Sequence, residues 1–361
     1  MPLLRGKESY LLLTTTLLLS LIGIIFVYSA GTYWSAVHYS DKMPFYMKQG
    51  IYLGIGLVVF WFTARFNSLR NKSFWVMAYW GAIALLVLVL VPGIGLVRNG
   101  SQSWIGVGPL TVQPAEIAKI TVIMYLSFVL GEHKTGERIV RLKHFLLLLL
   151  PVALIMLQPD FGSVFILVVA VMLLLFVAGY PLKLYAMFMV LGIAGLTTLI
   201  VTAPYRLKRI EAFIDPWAAP LTSGFQAVQS LMAIGPAGLF GHGFGQSRQK
   251  FLYLPEPQND FIFAIILEEM GLLGGIVVVA LFVSLLFGGY RFAVQAQNRA
   301  SYYAIIGLIT MLTMQAFLNI AVVIGLVPVT GVTLPFISYG GTSLITMWLI
   351  IGIVYKLAKH Q

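Results

Sequence analysis

Three acidic residues stand where polar loops meet long apolar runs: Glu116, Asp160 and Asp260. A carboxylate at such a boundary can accept a proton from a bound substrate. Each also lies beside residues typical of a helix start, where an acid caps the helix or complements its dipole. Capping is the expected role of each acid alone, but all three are predicted at one end of a helix bundle, where together they could form a site. Glu268 and Glu269 lie roughly 12 Å deeper along the helix after Asp260 and are predicted to be structural.

Basic residues near these acids could bind an anion. Lys119 follows Glu116 on nearly the same helix face. A lysine at a membrane helix centre costs about 2.5–3.5 kcal/mol, so Lys119 either pairs internally with Glu116 or belongs to a site for an anionic ligand. Basic residues of the loops at this end form either a solvated, lipid-facing surface or a clamp for a diphosphate. They are Arg98, Arg206, Lys208, Arg209, Arg248 and Lys250.

Two further segments could line a cavity at this end. The polar loop 98–108 carries Trp104, which is either an interfacial anchor or a platform for a sugar. The segment 328–343 has two prolines and paired glycines at membrane depth, which predicts a broken or re-entrant backbone that protein or a water-filled cavity must cover. Its Ser338 is predicted to contact the substrate. His242 has no second residue at metal-ligand spacing, so no metal site is predicted there.

Composition identifies the solvent around these residues. Of the 361 residues, 60% are hydrophobic and only 10% are charged, which is typical of a polytopic membrane protein. The absence of cysteine excludes disulfides and thiol chemistry. The net charge of +11 could suggest nucleic acid, but the distribution of the basic residues indicates membrane topology instead.

The apolar runs predict an all-α fold with ten transmembrane helices. The predicted spans are 10–30, 46–64, 74–92, 114–131, 144–157, 161–179, 182–202, 261–287, 302–325 and 336–356. Lys and Arg are concentrated in the loops that share a side with the N-terminus, which predicts that both termini are cytoplasmic and that the three acids face outward.

One connection is much longer than the others. Residues 203–260 form a predicted extracellular loop in which the apolar stretch 225–240 could lie as a short helix against the membrane or the bundle. No separate soluble domain or linker is apparent, so residues 1–361 are interpreted as a single integral-membrane domain.

Several motifs together resemble the SEDS family, which includes FtsW, RodA and SpoVE. The resemblance covers nearly the whole chain in order. The motifs are VRNGSQSWIGVG at 97–108, QPAEIAK at 113–119, QPDFGS at 158–163, YRLKRIEAFIDPW at 205–217, GHGFGQSRQKFLYLPEPQNDFIFAIILEEMG at 241–271 and PVTGVTLPFISYGGTS at 328–343. Thr333 favours the FtsW and SpoVE branch, while Asn259 and Thr342 stand where the family commonly has threonine and serine.

The resemblance implies a glycosyltransferase that polymerises lipid II into peptidoglycan on the outer face of the bacterial cytoplasmic membrane, in division, sporulation or cell-shape maintenance. It also implies a class B penicillin-binding protein as partner and places the catalytic aspartate at Asp260. A single-step inversion needs one base and positive charge for the leaving diphosphate. Lys119 and Arg98, together with Arg206 or Arg248, are expected to hold diphosphates, and Glu116 is expected to orient Lys119 or tune its charge. Asp160 and Lys250 are further expected substrate-binding residues.

Two alternatives stay open at this point. A lipid II flippase would also need many spans, buried charges and a broken helix, although the sequence has no clear inverted repeat. A scaffold that recruits the penicillin-binding protein could coexist with either activity. No cofactor is predicted; a divalent cation, Mg²⁺ or Mn²⁺, bridging the diphosphate is compatible with the sequence.

Overall fold

Long apolar runs form the helices of this protein because a membrane leaves backbone polar groups no partner except each other. The computed structural model describes residues 7–38, 43–98, 101–107, 110–132, 142–183, 185–190, 192 and 211–358. Its main helices are α1 Lys7–His38, α2 Phe45–Thr63, α3 Lys72–Leu90, α4 Pro114–Gly131, α5 Leu142–Leu157, α6 Phe161–Val177, α7 Phe225–Ile234, α8 Ile262–Val294, α9 Arg299–Val323 and α10 Gly341–Ala358.

The predicted membrane helices are present wherever the chain is described. Within those residues seven helices are long and apolar enough to cross a membrane, and the shorter apolar helices α5 and α6 correspond to the fifth and sixth predicted spans. The predicted seventh span, 182–202, lies largely outside the described residues, so the count of ten stays a prediction.

The central helices of the bundle are α4 and α9. Helix α4 packs on α3 and α9, and α9 also packs on α6, α8 and α10. Around them α1 packs on α2 and α8, and α2 packs on α10. Since α4 and α9 are surrounded by other helices, polar side chains on them must find partners inside the protein.

A small antiparallel sheet replaces the loop expected at 98–108. It comprises β1 Gly95–Arg98, β2 Ser101–Val107 and β3 Leu110–Val112 in the order β1-β2-β3. In its register Leu96 lies opposite Trp104, and Ile105 lies opposite Val112. The sheet ends directly before α4 and therefore fixes where Pro114 starts that helix.

Helix α8 is broken near its start, which the sequence did not predict. Gly271 has φ 65° and ψ −165°, a backbone conformation that side chains other than hydrogen rarely allow. The main-chain groups freed by the break pair with residues 238–243: His242 N–H donates to Glu268 O at 3.0 Å, and Leu272 N–H donates to Gly238 O at 3.0 Å. Main-chain hydrogen bonds thereby join the loop before α8 to the broken part of the helix.

Candidate functional site

Asp260 lies directly before α8 but does not cap it. The N-cap of α8 is Phe261, and no side chain makes a cap hydrogen bond there. The main-chain carbonyl of Asp260 instead accepts a hydrogen bond of 2.6 Å from Asn319 Nδ2 on α9. The capping interpretation of Asp260 is therefore wrong, and its carboxylate is available for other chemistry.

The surroundings of Asp260 change its acidity. Burial raises the pKa of Asp260 to about 6. A hydrogen bond from its own main-chain amide lowers the pKa, and the negative charge of Glu256 raises it further, so burial is the largest of the three effects. Glu256 is held on the same loop by Asn259 Nδ2, which donates to Glu256 Oε2 at 2.7 Å. A carboxylate with this pKa is deprotonated at neutral pH and basic enough to accept a proton.

Asp160 lies at the start of α6 and, unlike Asp260, is the N-cap of its helix. Its Oδ1 accepts from Ser163 N–H at 3.0 Å, and its Oδ2 accepts from Ser163 Oγ at 2.8 Å and from Gln113 Nε2 at 2.8 Å. These bonds join the starts of α4 and α6. Binding of substrate by Asp160 stays a prediction, since its carboxylate already has three protein donors.

The segment 330–332 lies between the starts of α6 and α8. A Cβ atom added to Gly331 would lie 4.0 Å from Asp260 Oδ2, and one added to Gly162 would lie 2.3 Å from Val332 Cγ2. The main chain of this segment therefore forms a wall beside the Asp260 carboxylate. It belongs to the irregular stretch 324–340 between α9 and α10, in agreement with the broken backbone predicted there.

Lys119 pairs with Glu116, as the internal-pair alternative predicts. Lys119 Nζ donates to Glu116 Oε1 at 2.7 Å and to Gln315 Oε1 at 3.0 Å, and the lysine side chain is only 1% exposed. A lysine ammonium has three donors, so one N–H remains after these two bonds. A role for Lys119 in anion binding stays a prediction.

Two amides on α9 were missed by the sequence analysis. Gln315 Nε2 donates to Thr333 O at 3.2 Å, and Asn319 Nδ2 donates to Val332 O at 2.7 Å in addition to Asp260 O. The available signal was two amide side chains one helical turn apart within an apolar span. They join Lys119, the 330–333 segment and Asp260.

The sheet residues lie beside the same end of the bundle. β1 ends at Arg98, whose side chain lies outside the described atoms, and Arg206 lies outside the described residues altogether. Trp104 is partly buried on β2. The hydroxyl groups of Ser101 and Ser103 contact Gln158 O at the end of α5, and these contacts hold the sheet beside Asp160.

The second acidic pair forms a buried cluster with the loop before α8. Glu268 Oε1 accepts from Arg248 N–H at 2.8 Å. Glu269 Oε1 accepts from Ser29 Oγ at 2.6 Å and from Lys250 Nζ at 3.2 Å. The structural role predicted for both glutamates agrees with these contacts. Lys250 is part of this cluster, whereas the Arg248 side chain is exposed; substrate binding by either stays a prediction.

Ser338 stabilises the irregular segment before α10. Its hydroxyl accepts from Leu334 N–H at 2.8 Å, and its carbonyl accepts from Gln49 Nε2 at 3.0 Å. Ser338 is 5% exposed, so contact with a substrate stays a prediction. Among the residues that the structure describes, no group of three or more His, Asp and Glu side chains is placed to hold a metal ion.

Comparison with known proteins assigns the family. Residues 9–361 match the model of the FtsW, RodA and SpoVE family, described as cell cycle protein. The chain belongs to this family. This FtsW, RodA and SpoVE family member is 42% identical to stage V sporulation protein E of Bacillus subtilis, over 99% of the chain and 98% of that protein. It is 40% identical to the probable peptidoglycan glycosyltransferase FtsW of Saccharophagus degradans, over 98% of the chain and 92% of that protein.

Solved structures agree with this assignment. A chain of a peptidoglycan synthase complex, solved in work on the coordination of polymerization and crosslinking, matches with a TM-score of 0.78 and 28% identity, covering 96% of both chains. RodA of Thermus thermophilus matches with a TM-score of 0.70 and 26% identity, covering 97% of this chain and 96% of RodA. The fold is therefore that of a bacterial membrane protein of this family, and sequence similarity to SpoVE and FtsW supports the predicted branch.

Proposed function

We propose that this protein is a peptidoglycan glycosyltransferase that polymerises lipid II, with Asp260 as its general base. The observation that carries the proposal is the Asp260 carboxylate, which is free of helix capping and has a pKa of about 6. Relatives named peptidoglycan glycosyltransferase FtsW, 40% and 39% identical, support the reaction class. A base of this strength contributes on the order of 10²- to 10⁴-fold to a proton-transfer step.

The reaction requires one displacement. The 4-hydroxyl of a GlcNAc acceptor attacks the anomeric carbon of a MurNAc donor, and the bond from that carbon to the lipid diphosphate breaks. Asp260 takes the hydroxyl proton, the diphosphate leaves with the bonding electron pair, and the α linkage becomes a β linkage. One carboxylate suffices, because no covalent sugar intermediate forms.

Positive charge near the base would stabilise the diphosphate. Lys119 has one N–H donor left after binding Glu116 and Gln315. Because Glu116 offsets the charge of Lys119, Arg98, Arg206 and the exposed Arg248 are proposed as additional diphosphate contacts. A divalent cation at the diphosphate would add further positive charge. The described residues contain no group of three or more His, Asp and Glu side chains that could hold it.

The surroundings of the reaction follow from the charge distribution. We place both termini in the cytoplasm and Asp260 at the outer face of the cytoplasmic membrane, because Lys and Arg are concentrated on the opposite side. The similarity to a chain of a peptidoglycan synthase complex supports a class B penicillin-binding protein as partner.

Purified protein with its penicillin-binding protein partner, supplied with lipid II, tests the proposal directly. Wild type is expected to produce glycan polymer, measured by gel separation of the chains after transpeptidation is blocked. Asp260→Asn is expected to lose this polymer, and Asp215→Asn is its matched control, since the Asp215 carboxylate caps a short 3-10 helix at Trp217. No polymer from wild type, together with movement of lipid II across vesicle membranes, would establish the flippase alternative instead.

A further inference from the structure

Gln315 and Asn319 are buried amides that connect the two charged parts of the site. They are 2% and 1% exposed and lie one turn apart on α9. An amide inside an apolar bundle is costly unless it is hydrogen-bonded, so the partners of each amide indicate what it does.

Asn319 holds two separate chain segments together. Its Nδ2 donates to Asp260 O at 2.6 Å and to Val332 O at 2.7 Å. The orientation of the amide is fixed, because only the NH₂ group can donate to two carbonyl oxygens. Asn319 therefore keeps the 330–332 wall against the residue that carries the carboxylate.

Gln315 holds Lys119 in the same way. Its Oε1 accepts from Lys119 Nζ at 3.0 Å, while its Nε2 donates to Thr333 O at 3.2 Å. Since both ends of the amide are used, the ammonium group has a fixed place relative to the 330–333 segment. One turn of α9, with a rise of about 6 Å, thus separates the anchor of Lys119 from the anchor of Asp260.

We propose that Gln315 and Asn319 are positioning residues that set the geometry between the phosphate-binding lysine and the base. This inference rests on the proposed function. Asn319 acts through Asp260 and its wall, and Gln315 acts through Lys119, so their loss has different kinetic consequences. A purely structural role would lower the amount of active protein and leave KM and the pH profile unchanged.

Loss of Asn319 is expected to change the environment of the base. Asn319→Leu keeps the shape of the side chain but leaves the carbonyls of Asp260 and Val332 without their donor. The 330–332 segment is then expected to move away from Asp260, so that water reaches the Asp260 carboxylate. The pKa of Asp260 then falls towards its ordinary value, and the acidic limb of kcat moves to lower pH. α9 and the 330–332 segment present neutral side chains here. In the part of the chain that the structure describes, the charged groups on the surrounding elements are Glu256 on the same loop, Asp160 at the start of α6, and Glu116 and Lys119 on α4.

Loss of Gln315 is expected to act on substrate affinity. Gln315→Met keeps the length of the side chain, and Lys119 retains Glu116 as its partner. The ammonium then loses its fixed position, so KM for lipid II rises, while the midpoint of the acidic limb stays that of wild type.

Steady-state kinetics of the protein with its penicillin-binding protein partner test both expectations, with lipid II varied at several pH values. Asn319→Leu is expected to lower kcat about 10- to 100-fold, as a misplacement of about 1 Å does, and to lower the midpoint. Gln315→Met is expected to raise KM severalfold. Thr313→Val is the control, because the buried Thr313 hydroxyl bonds only within its own helix, to Ile309 O at 2.9 Å and Thr310 O at 3.1 Å.

The outcomes separate the inference from the function it rests on. An inactive wild type contradicts the proposed function. The positioning role is contradicted if wild type is active and both Asn319→Leu and Gln315→Met lower kcat without changing KM for lipid II or the midpoint of the acidic limb. If Asn319→Leu does not fold, Asn319→Ser leaves room for water beside the same carbonyls, and the same downward shift of the midpoint is expected.

Discussion

Asp260 and the pair Glu268 and Glu269 are carboxylates on one chain segment in opposite situations. Both glutamates are buried and hydrogen-bonded by the 247–250 loop, with Lys250 as a cation for Glu269. Asp260 is instead hydrogen-bonded by its own main-chain amide and lies beside the main chain of Gly331. Burial alone therefore does not identify a reactive carboxylate; the number of donors already bound to it does.

The largest expected effect on activity comes from removing the negative charge of Asp260, compared with removing that of Glu269. Asp260→Asn should reduce glycan synthesis at least about 100-fold with little change in thermal unfolding, because the base is lost while the side-chain shape remains. Glu269→Gln should retain most activity per folded molecule and lower the unfolding temperature. Equal loss of activity in both variants would remove the distinction between the two regions.

Removing the cation of the buried cluster should cost stability. Lys250→Met leaves the Glu269 carboxylate buried without its partner, and we expect a loss of about 3–5 kcal/mol in the free energy of unfolding. Adding Glu269→Gln to that variant should recover much of the loss. The control is Lys72→Met, whose ion pair with Glu132 is 40% and 48% exposed and should contribute less than about 1 kcal/mol. Chemical denaturation in detergent measures all three variants.

The backbone break at Gly271, directly after the glutamate pair, should be sensitive to one methyl group. In Gly271→Ala the new Cβ would lie 2.4 Å from Gly241 N, at a positive φ, so a loss of about 1–3 kcal/mol is expected. Gly54→Ala is the matched control, because a Cβ there meets no atom within 4 Å. Similar unfolding temperatures for the two variants would show that the backbone at Gly271 accommodates a side chain.

The pH dependence should report Asp260 and not the glutamates. Because burial raises the pKa of Asp260 to about 6, the base is deprotonated above that pH and becomes protonated as the pH falls through it. The rate of glycan synthesis should therefore fall below pH 6, by about tenfold per pH unit. Glu268→Gln should leave the midpoint of this pH dependence unchanged. Rates of glycan synthesis measured over a range of pH for wild type and Glu268→Gln check this expectation.

Local patterns predicted the parts of this structure that depend on neighbours in sequence. The apolar runs predicted the described membrane helices, and the spacing of Glu116 and Lys119 indicated their pair as one of two alternatives. The local pattern did not separate Asp160 from Asp260, because both stand at helix starts and only the fold determines which one caps. The family resemblance was needed to choose Asp260.

Contacts between distant segments were not predictable. Gln315 and Asn319 bind carbonyls of other segments, and neither the distance nor the direction of those carbonyls is encoded near α9. The break at Gly271 depends on residues 238–243 approaching α8, while glycine is common in unbroken membrane helices. The sheet at 95–112 likewise depends on pairing between strands that are too short to be recognised alone.

The pairing of residues 238–243 with α8 limits where this protein can be labelled. An epitope tag or protease site inserted there would interrupt main-chain hydrogen bonds that complete a membrane helix, such as that from Gly243 N–H to Glu269 O. Leu221, which is 84% exposed, lies outside this pairing and offers a tolerant insertion point. Fluorescent or affinity labels can therefore be attached near Leu221, whereas residues 238–243 tolerate them no better than the interior of the bundle does.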